Sequence, residues 1–188
     1  TGAASGIGKA SAEHLAREHH ISRADPDAYA LRSQQRAAHA QAQGWFDEEI
    51  TPVMTGQGET STQFGRDEHP RADTRLDRLA ALAPLLGPDG SITAGNASGL
   101  NDGAGAVLLA SEPALARHGL QPLARITGMA SAGVAPRVMG LGPVPAIHKL
   151  LARTNRSLAD FDRIEINEAF AAQVLACTRA LGLADDAE

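Results

Sequence analysis

Two stretches of this 188-residue sequence have residue types and spacings that could do chemistry. The first eight residues read TGAASGIG. Glycines permit a tight turn, and the free N–H groups at the start of a following helix can bind a pyrophosphate. Near the other end, NEAF occupies residues 167–170, directly after a short apolar stretch. A side-chain amide at a strand end is held rigidly and can point into a crevice at the carboxyl ends of the strands.

The single cysteine and the seven histidines are weaker candidates. Cys177 falls about three turns into the helix predicted after Asn167, among small apolar residues, so we interpret it as a buried hydrophobic residue. The histidines are scattered, and no H-x-x-x-H pair has a matching acid, so the sequence predicts no zinc site. One cysteine also excludes an internal disulfide framework.

The elements that must position these residues alternate between helices and strands, which predicts an α/β protein. Ser22 and Asp25 form a capping box, and Gly44 ends the helix that they begin. Residues 51–75 lack periodicity and are interpreted as an extended loop. Further helices are predicted at 76–82, 111–119, 145–153, 157–160 and after residue 167, and strands at 91–94, 106–110, 123–127 and 164–166.

Charge and hydropathy exclude several classes of protein. The formal net charge is −5, and with 17 basic residues there is no basic stripe for nucleic acid. The apolar runs are too short to span a bilayer, so we predict a soluble, cytoplasmic protein with neither a nucleic-acid nor a membrane partner. The chain begins at Thr1 and stops within a helical pattern, which indicates a piece of a longer protein.

The amino-terminal TGAASGIG resembles the nucleotide-binding turn of short-chain dehydrogenases, which implies an NAD(P)-dependent reductase. The expected preceding strand is missing, and Tyr29 is followed four residues later by Ser33 instead of the family's lysine. We therefore interpret residues 1–10 as a divergent or foreign leader, with the reductase as an alternative.

A larger set of motifs resembles the thiolase family of acyl-CoA acyltransferases. In order, the set is SAEHLA (11–16), ISRAD (21–25), ALRSQQRA (30–37), DEHPR (67–71), TAGNASGLNDGA (93–104), MGLGPVPA (139–146) and NEAFAAQ (167–173). The resemblance implies a partial thiolase fold, layered α-β-α-β-α and incomplete at both ends. Residues 11–120 would be the end of the N-terminal half, including the CoA-binding loop region, and residues 121–188 the start of the C-terminal half.

The resemblance also implies an activity: CoA-dependent thiolytic cleavage of a 3-oxoacyl-CoA, or the reverse condensation, by a ping-pong route. The sequences of residues 67–71 and of the last twenty residues are most similar to those of thiolases acting on 3-oxoadipyl-CoA or acetoacetyl-CoA. CoA would be a substrate, with no covalently bound cofactor. The full-length form would be a homo-oligomer, a dimer or a tetramer.

By the same resemblance, the NEAF motif supplies the catalytic residues of this chain. Asn167 would hold a water that stabilises an oxyanion, and Glu168 would orient its neighbours. Their simpler alternatives are a helix N-cap and a solvated first-turn acid. Ala169 and Phe170 would line the acyl and pantetheine path, and Phe170 could equally be core filler.

Three further residues are implied in CoA and acyl binding. Arg71 would meet the adenine-phosphate end of CoA, Ser98 would contact the pantetheine, and Met139 would line the acyl pocket. The alternatives are an ordinary loop arginine, a hydroxyl that bonds to backbone, and a gap-filling core residue.

The sequence also departs from the family. Gly8 and Lys9 stand where thiolases carry a Met-Gly step, the nucleophilic cysteine would lie upstream, and the base histidine and acid cysteine downstream. We therefore expect this chain alone to bind CoA weakly at most and to turn nothing over. The alternative is a non-catalytic CoA-binding or oligomerisation remnant.

Overall fold

A computed structural model describes residues 6–186 of the chain. In this part of the chain the elements are α1 (Gly6–Glu18), α2 (Ala24–Ala42), β1 (Val53–Thr55), β2 (Thr62–Phe64), α3 (Leu76–Ala80), α4 (Glu112–His118), α5 (Pro143–Thr154) and α6 (Ala171–Ala180). Short 3-10 helices occupy Gly58–Thr60, Pro136–Leu141 and Leu158–Asp160. The first five residues of the glycine-rich leader lie outside the described residues, and Gly6 begins α1.

Local sequence signals account for the ends of the predicted helices. The Asp25 carboxylate accepts a hydrogen bond from the Ser22 N–H at 3.0 Å, which is one half of the predicted capping box. The other half is absent, because the N-cap of α2 is Arg23 and no side chain caps it. Gly44 and Gly119 follow α2 and α4 with φ of 69° and 63°, a conformation that glycine adopts without strain. A capping box begins the short helix predicted at 157–160, where the Ser157 N–H and hydroxyl both donate to the Asp160 carboxylate.

The core lies where α1 packs against α6. Its buried residues are Ala12, Leu15, Ala16, Ile21, Ile92, Phe170, Ala172, Leu175 and Ala176. Alanines on both helices allow their backbones to approach closely. The 3-10 helix Pro136–Leu141 covers one side of this pair, with Val138 and Leu141 packed against the core.

Buried polar side chains fix residues 91–96 onto α1 and α2. The Glu13 carboxylate accepts hydrogen bonds from the Ser91 N–H at 2.9 Å and the Ile92 N–H at 3.2 Å. The Asn96 amide donates to Asp27 and to the Ser91 carbonyl, both at 2.9 Å, and its oxygen accepts from the Thr93 N–H at 2.8 Å. These bonds hold the loop without a β-ladder.

The predicted strands at 91–94, 106–110, 123–127 and 164–166 are not paired as strands in the described part of the chain. A strand requires a neighbour that exchanges N–H and carbonyl groups with it, and residues 6–186 provide no such neighbour for these four segments. The interpretation of residues 51–75 as a loop was also wrong in part. Residues within it form an antiparallel hairpin in which Val53 pairs with Phe64 and Thr55 with Thr62.

None of the helices in residues 6–186 is both long enough and apolar enough to cross a membrane.

Candidate active site

A cavity of about 240 Å3 lies between the start of α1, the 3-10 helix Pro136–Leu141 and the loop before α6. It is lined by four residues that the sequence singled out, Met139, Asn167, Ala169 and Phe170. Gly8, Ser11, Ala12, Gly140, Pro143, Ile166 and Gln173 complete its wall. We call it the first cavity.

The loop that carries the NEAF motif is fixed at its carboxyl end by main-chain hydrogen bonds to residues 96–98. Ala97 and Phe170 form an isolated antiparallel bridge. The Ala171 N–H donates to the Asn96 carbonyl at 2.9 Å, and the Ser98 N–H donates to the Ala169 carbonyl at 3.1 Å. Residues 95–105, a run rich in small residues, therefore approach the NEAF loop closely, because small side chains let two backbones come together.

Asn167 lies exposed at the first cavity, outside any helix. Helix α6 begins at Ala171 and its N-cap is Phe170, so Asn167 is not a helix cap. Its side chain makes no hydrogen bond to the described residues, which leaves both amide groups available to a ligand or water.

Glu168 extends from the same loop toward α2. Its two carboxylate oxygens accept hydrogen bonds from the Tyr29 hydroxyl at 2.9 Å and the Ser33 hydroxyl at 2.5 Å. Burial first, and then the Glu168 charge and hydrogen bond, raise the pKa of Tyr29 above its usual value. Helix α6 begins only at Ala171, so Glu168 is not a first-turn acid, and its exposed carboxylate connects the NEAF loop to α2.

Ser98 and Glu168 line a second, larger cavity of about 1550 Å3. Helix α2, the β1–β2 hairpin and residues 65–70 and 95–106 surround it. The Ser98 hydroxyl donates to the Ala169 carbonyl at 3.1 Å, so it bonds to backbone across the NEAF loop. The two cavities thus lie on either side of this loop.

Arg71 lines neither cavity. Its side chain is exposed, and its backbone N–H donates to the Gln34 amide oxygen at 2.7 Å. The structure brings six of the seven predicted site residues to the two sides of one loop and leaves Arg71 apart.

The sequence interpretation gave no role to Ser11, Gly140 or Gln173, which share the wall of the first cavity. The Gly140 N–H donates to the Ser11 hydroxyl oxygen at 3.3 Å, and the Cys177 thiol donates to the Gly140 carbonyl at 3.2 Å. Gln173 contacts the Cys177 sulfur at 3.5 Å. All three stand within the motifs that carry the resemblance, but their packing against one another had no sequence signal.

Cys177 itself is fully buried, and burial raises the pKa of its thiol. Its environment agrees with the interpretation as a buried hydrophobic residue.

Two family models match this chain in sequence. The thiolase N-terminal domain matches residues 5–113, and the thiolase C-terminal domain matches residues 120–187. The chain belongs to the thiolase family. It is 58% identical over 178 residues to the beta-ketoadipyl-CoA thiolase of Pseudomonas aeruginosa, covering 95% of this chain and 44% of that one.

Another thiolase matches a similar share of this chain. The 3-oxoadipyl-CoA/3-oxo-5,6-dehydrosuberyl-CoA thiolase of Escherichia coli K12 is 53% identical, over 94% of this chain and 44% of its own. The chain thus spans less than half the length of these thiolases.

Solved thiolase structures share the fold. A Bacillus anthracis acetyl-CoA acetyltransferase superposes with a TM-score of 0.91 at 48% identity, over 95% of this chain and 45% of that one. A human mitochondrial 3-ketoacyl-CoA thiolase in complex with CoA superposes at 0.87 and 48% identity, over 93% of this chain and 43% of that one. The α/β class holds, as a helix-rich part of the thiolase fold, even though the four predicted strands have no strand partner among residues 6–186.

Proposed function

We propose that this chain supplies the acyl-pocket wall and part of the CoA-binding surface of a thiolase-type acyltransferase that cleaves or forms 3-oxoacyl-CoA. The observation that carries the proposal is the first cavity, because Met139 and three residues of the NEAF motif, Asn167, Ala169 and Phe170, come from two separate parts of the sequence and line it together. Its relatives' names favour a short 3-oxoacyl substrate of the 3-oxoadipyl-CoA or acetoacetyl-CoA kind.

The first cavity suits an acyl group better than a whole CoA thioester. Its volume of about 240 Å3 falls below the ~300–1,000 Å3 of pockets that hold drug-sized ligands. Met139 and Phe170 offer apolar contacts, and the free amide of Asn167 offers a donor for a developing negative charge. Asn167 is therefore the residue that we assign to oxyanion stabilisation.

The second cavity supports the CoA part of the proposal. At about 1550 Å3 it has room for the pantetheine arm, and Ser98 stands on its wall beside the NEAF loop. The exposed Arg71 side chain would reach the phosphates only if CoA extends beyond this cavity. We therefore assign Ser98 to the pantetheine and keep Arg71 as the proposed phosphate contact. A homo-oligomer is proposed for the full-length enzyme.

The 188-residue chain alone should not catalyse thiolysis. A thiolase needs a cysteine thiolate as its nucleophile, and the single cysteine of this sequence is buried with a raised thiol pKa. We expect no CoA-dependent loss of acetoacetyl-CoA above a control without protein. Measurable turnover would contradict this part of the proposal.

Binding tests the acyl pocket directly. In equilibrium titrations with acetoacetyl-CoA, Met139→Ala is expected to weaken binding about fivefold, the equivalent of about 1 kcal/mol. Met129→Ala is the matched control, because Met129 is 77% exposed and lines neither cavity. Equal affinities for wild type and both variants would refute the assignment of the first cavity.

A second candidate is an oligomerisation module without CoA affinity. It is favoured by the exposed apolar side chains Val107, Leu108 and Leu109, which are between 73% and 86% exposed. A chain that dimerises in size-exclusion mass analysis and binds no CoA would support this candidate over the acyltransferase.

A further inference from the structure

Asn167 stands on a loop that has little support of its own. Residues 162–167 make no hydrogen bond to any other described residue. The main-chain bonds to residues 96–98 begin only at Ala169. Asn167 therefore precedes the first residue of the loop that main-chain hydrogen bonds hold in place, which is Ala169.

The side-chain hydrogen bonds that lie nearest to Asn167 along the sequence are those of Glu168. One carboxylate oxygen accepts from the Tyr29 hydroxyl at 2.9 Å and the other accepts from the Ser33 hydroxyl at 2.5 Å. Two donors on two different oxygens restrict both the position and the rotation of the carboxylate. Hydrogen bonds to a charged acceptor are also among the stronger ones in proteins.

The two donors belong to one face of α2, four residues apart, so a single helix presents both. Helix α2 is itself fixed near this face. Buried Asp27 accepts from the Arg23 guanidinium at 2.8 Å and from the Asn96 amide at 2.9 Å. The two hydroxyls that donate to Glu168 therefore belong to a rigid helix, which can restrict the position of the loop that carries Glu168.

We propose that Tyr29 and Ser33 are positioning residues that hold the Asn167 amide at the first cavity through the Glu168 carboxylate. Neither hydroxyl lines the first cavity, so an effect on Asn167 passes through Glu168, although both residues also line the second cavity. This inference rests on the proposed function for the role of Asn167, but the positioning can be measured without substrate.

The raised pKa of Tyr29 supports the same geometry, because the phenol stays protonated and remains a donor to Glu168. The Arg32 guanidinium lies 5.0 Å from the Tyr29 ring centroid and packs over the ring. Tyr29 is the one tyrosine of the sequence, so a labelled ring gives a single signal.

The test is nuclear magnetic resonance of the 188-residue chain. The side-chain amide of Asn167 is assigned by its loss in Asn167→Asp, and its mobility is measured by the heteronuclear Overhauser effect. Tyr29→Phe and Ser33→Ala each remove one hydroxyl with little change of shape, and Ser33→Thr keeps the hydroxyl. Ser157→Ala is the matched control, since it removes a serine hydroxyl that donates to Asp160 at 3.0 Å, and neither residue lines a cavity.

We expect the Overhauser effect of the Asn167 amide to fall by about half in the double variant Tyr29→Phe/Ser33→Ala. It should recover in part in Tyr29→Phe/Ser33→Thr, which restores one of the two hydroxyls. Ser157→Ala should leave it at the wild-type value. If the double variant does not fold, the two single variants are expected to give smaller losses in the same direction. An unchanged Asn167 signal in the folded variants would overturn the proposal.

Affinity separates this proposal from the function on which it rests. Tyr29 and Ser33 also line the second cavity, so weaker binding of acetoacetyl-CoA by the double variant would combine a direct effect with a positioning effect, and the mobility of the Asn167 amide decides the positioning role. Absence of binding by wild type would refute the proposed CoA site while the amide mobility still decides the positioning role.

Discussion

Cys177 lies fully buried in α6, with its thiol donating to the Gly140 carbonyl at 3.2 Å. The surrounding small apolar residues were sufficient to predict that burial from the sequence. Asn167 was harder to interpret, because an asparagine before a helix is a common N-cap. The start of α6 at Ala171, three residues later than a cap would require, depends on the bridge between Ala97 and Phe170 and has no local signal.

Burial of Cys177 predicts that its thiol reacts slowly with labelling reagents. Because burial raises its pKa and blocks access, labelling with a disulfide reagent at pH 8 should be on the order of 100-fold slower in the native chain than in urea. The absorbance of the released thiolate measures the rate. Complete labelling of the native chain as fast as of the unfolded chain would contradict the buried position.

Gly140 provides a second test at the residue scale. A Cβ added there would meet Gln173 Cγ at 2.7 Å and Leu15 Cδ1 at 2.8 Å, so Gly140→Ala should lower the free energy of unfolding by about 1–3 kcal/mol. Urea titration measures the change. Gly133→Ala is the matched control, because no atom lies within 4 Å of its added Cβ. Equal stability of the two variants would contradict the packing around the first cavity.

At the scale of elements, helices were predictable and strands were not. Acids in the first turn and glycines lie within a few positions of the helix ends that they stabilise, as Asp25 and Gly119 do. A strand depends on a partner that is distant in sequence, and the apolar run at 106–110 finds none in residues 6–186. The hairpin of β1 and β2 was missed for a different reason. Its strands have three residues each, which is too short for polar and apolar residues to show alternation.

The loop that follows α3 shows what replaces a ladder, and it gives a prediction for Asn96. Replacing Asn96 by Ala removes bonds to Thr93, Ser91 and Asp27, and it leaves buried groups unsatisfied. The free energy of unfolding should fall by about 3 kcal/mol. Chemical denaturation followed by circular dichroism measures it.

The matched control for this variant is Asn101→Ala. Asn101 is exposed and makes no hydrogen bond to the described residues, so its change should stay within about 0.5 kcal/mol. Similar losses in both variants would mean that the Asn96 bonds do not hold the loop.

At the scale of the whole molecule, the chain exposes 13409 Å2. A compact monomer of 19.5 kDa would expose about 8,500 Å2. Large apolar side chains contribute to this exposed surface, including Leu108 at 80% and Leu123 at 105% exposure. The chain spans 44% of the P. aeruginosa relative, and thiolase membership could be predicted from its ordered motifs.

This surface predicts self-association. We expect the purified chain to elute in size-exclusion chromatography with a mass above 19.5 kDa and to bind a hydrophobic dye. The double variant Leu108→Lys/Leu123→Lys should reduce both. A monodisperse 19.5 kDa species without dye binding would contradict the exposed apolar segments.

The most direct test of the central claim uses the three methionines of the sequence. With 13C-labelled methyl groups, the chain gives one signal from Met139 in the first cavity and two internal controls, Met54 and Met129, which line neither cavity. Titration with acetoacetyl-CoA is predicted to shift the Met139 signal and leave the other two in place. An unmoved Met139 signal at millimolar ligand, or equal shifts of all three, would contradict the assignment of this cavity to the acyl group.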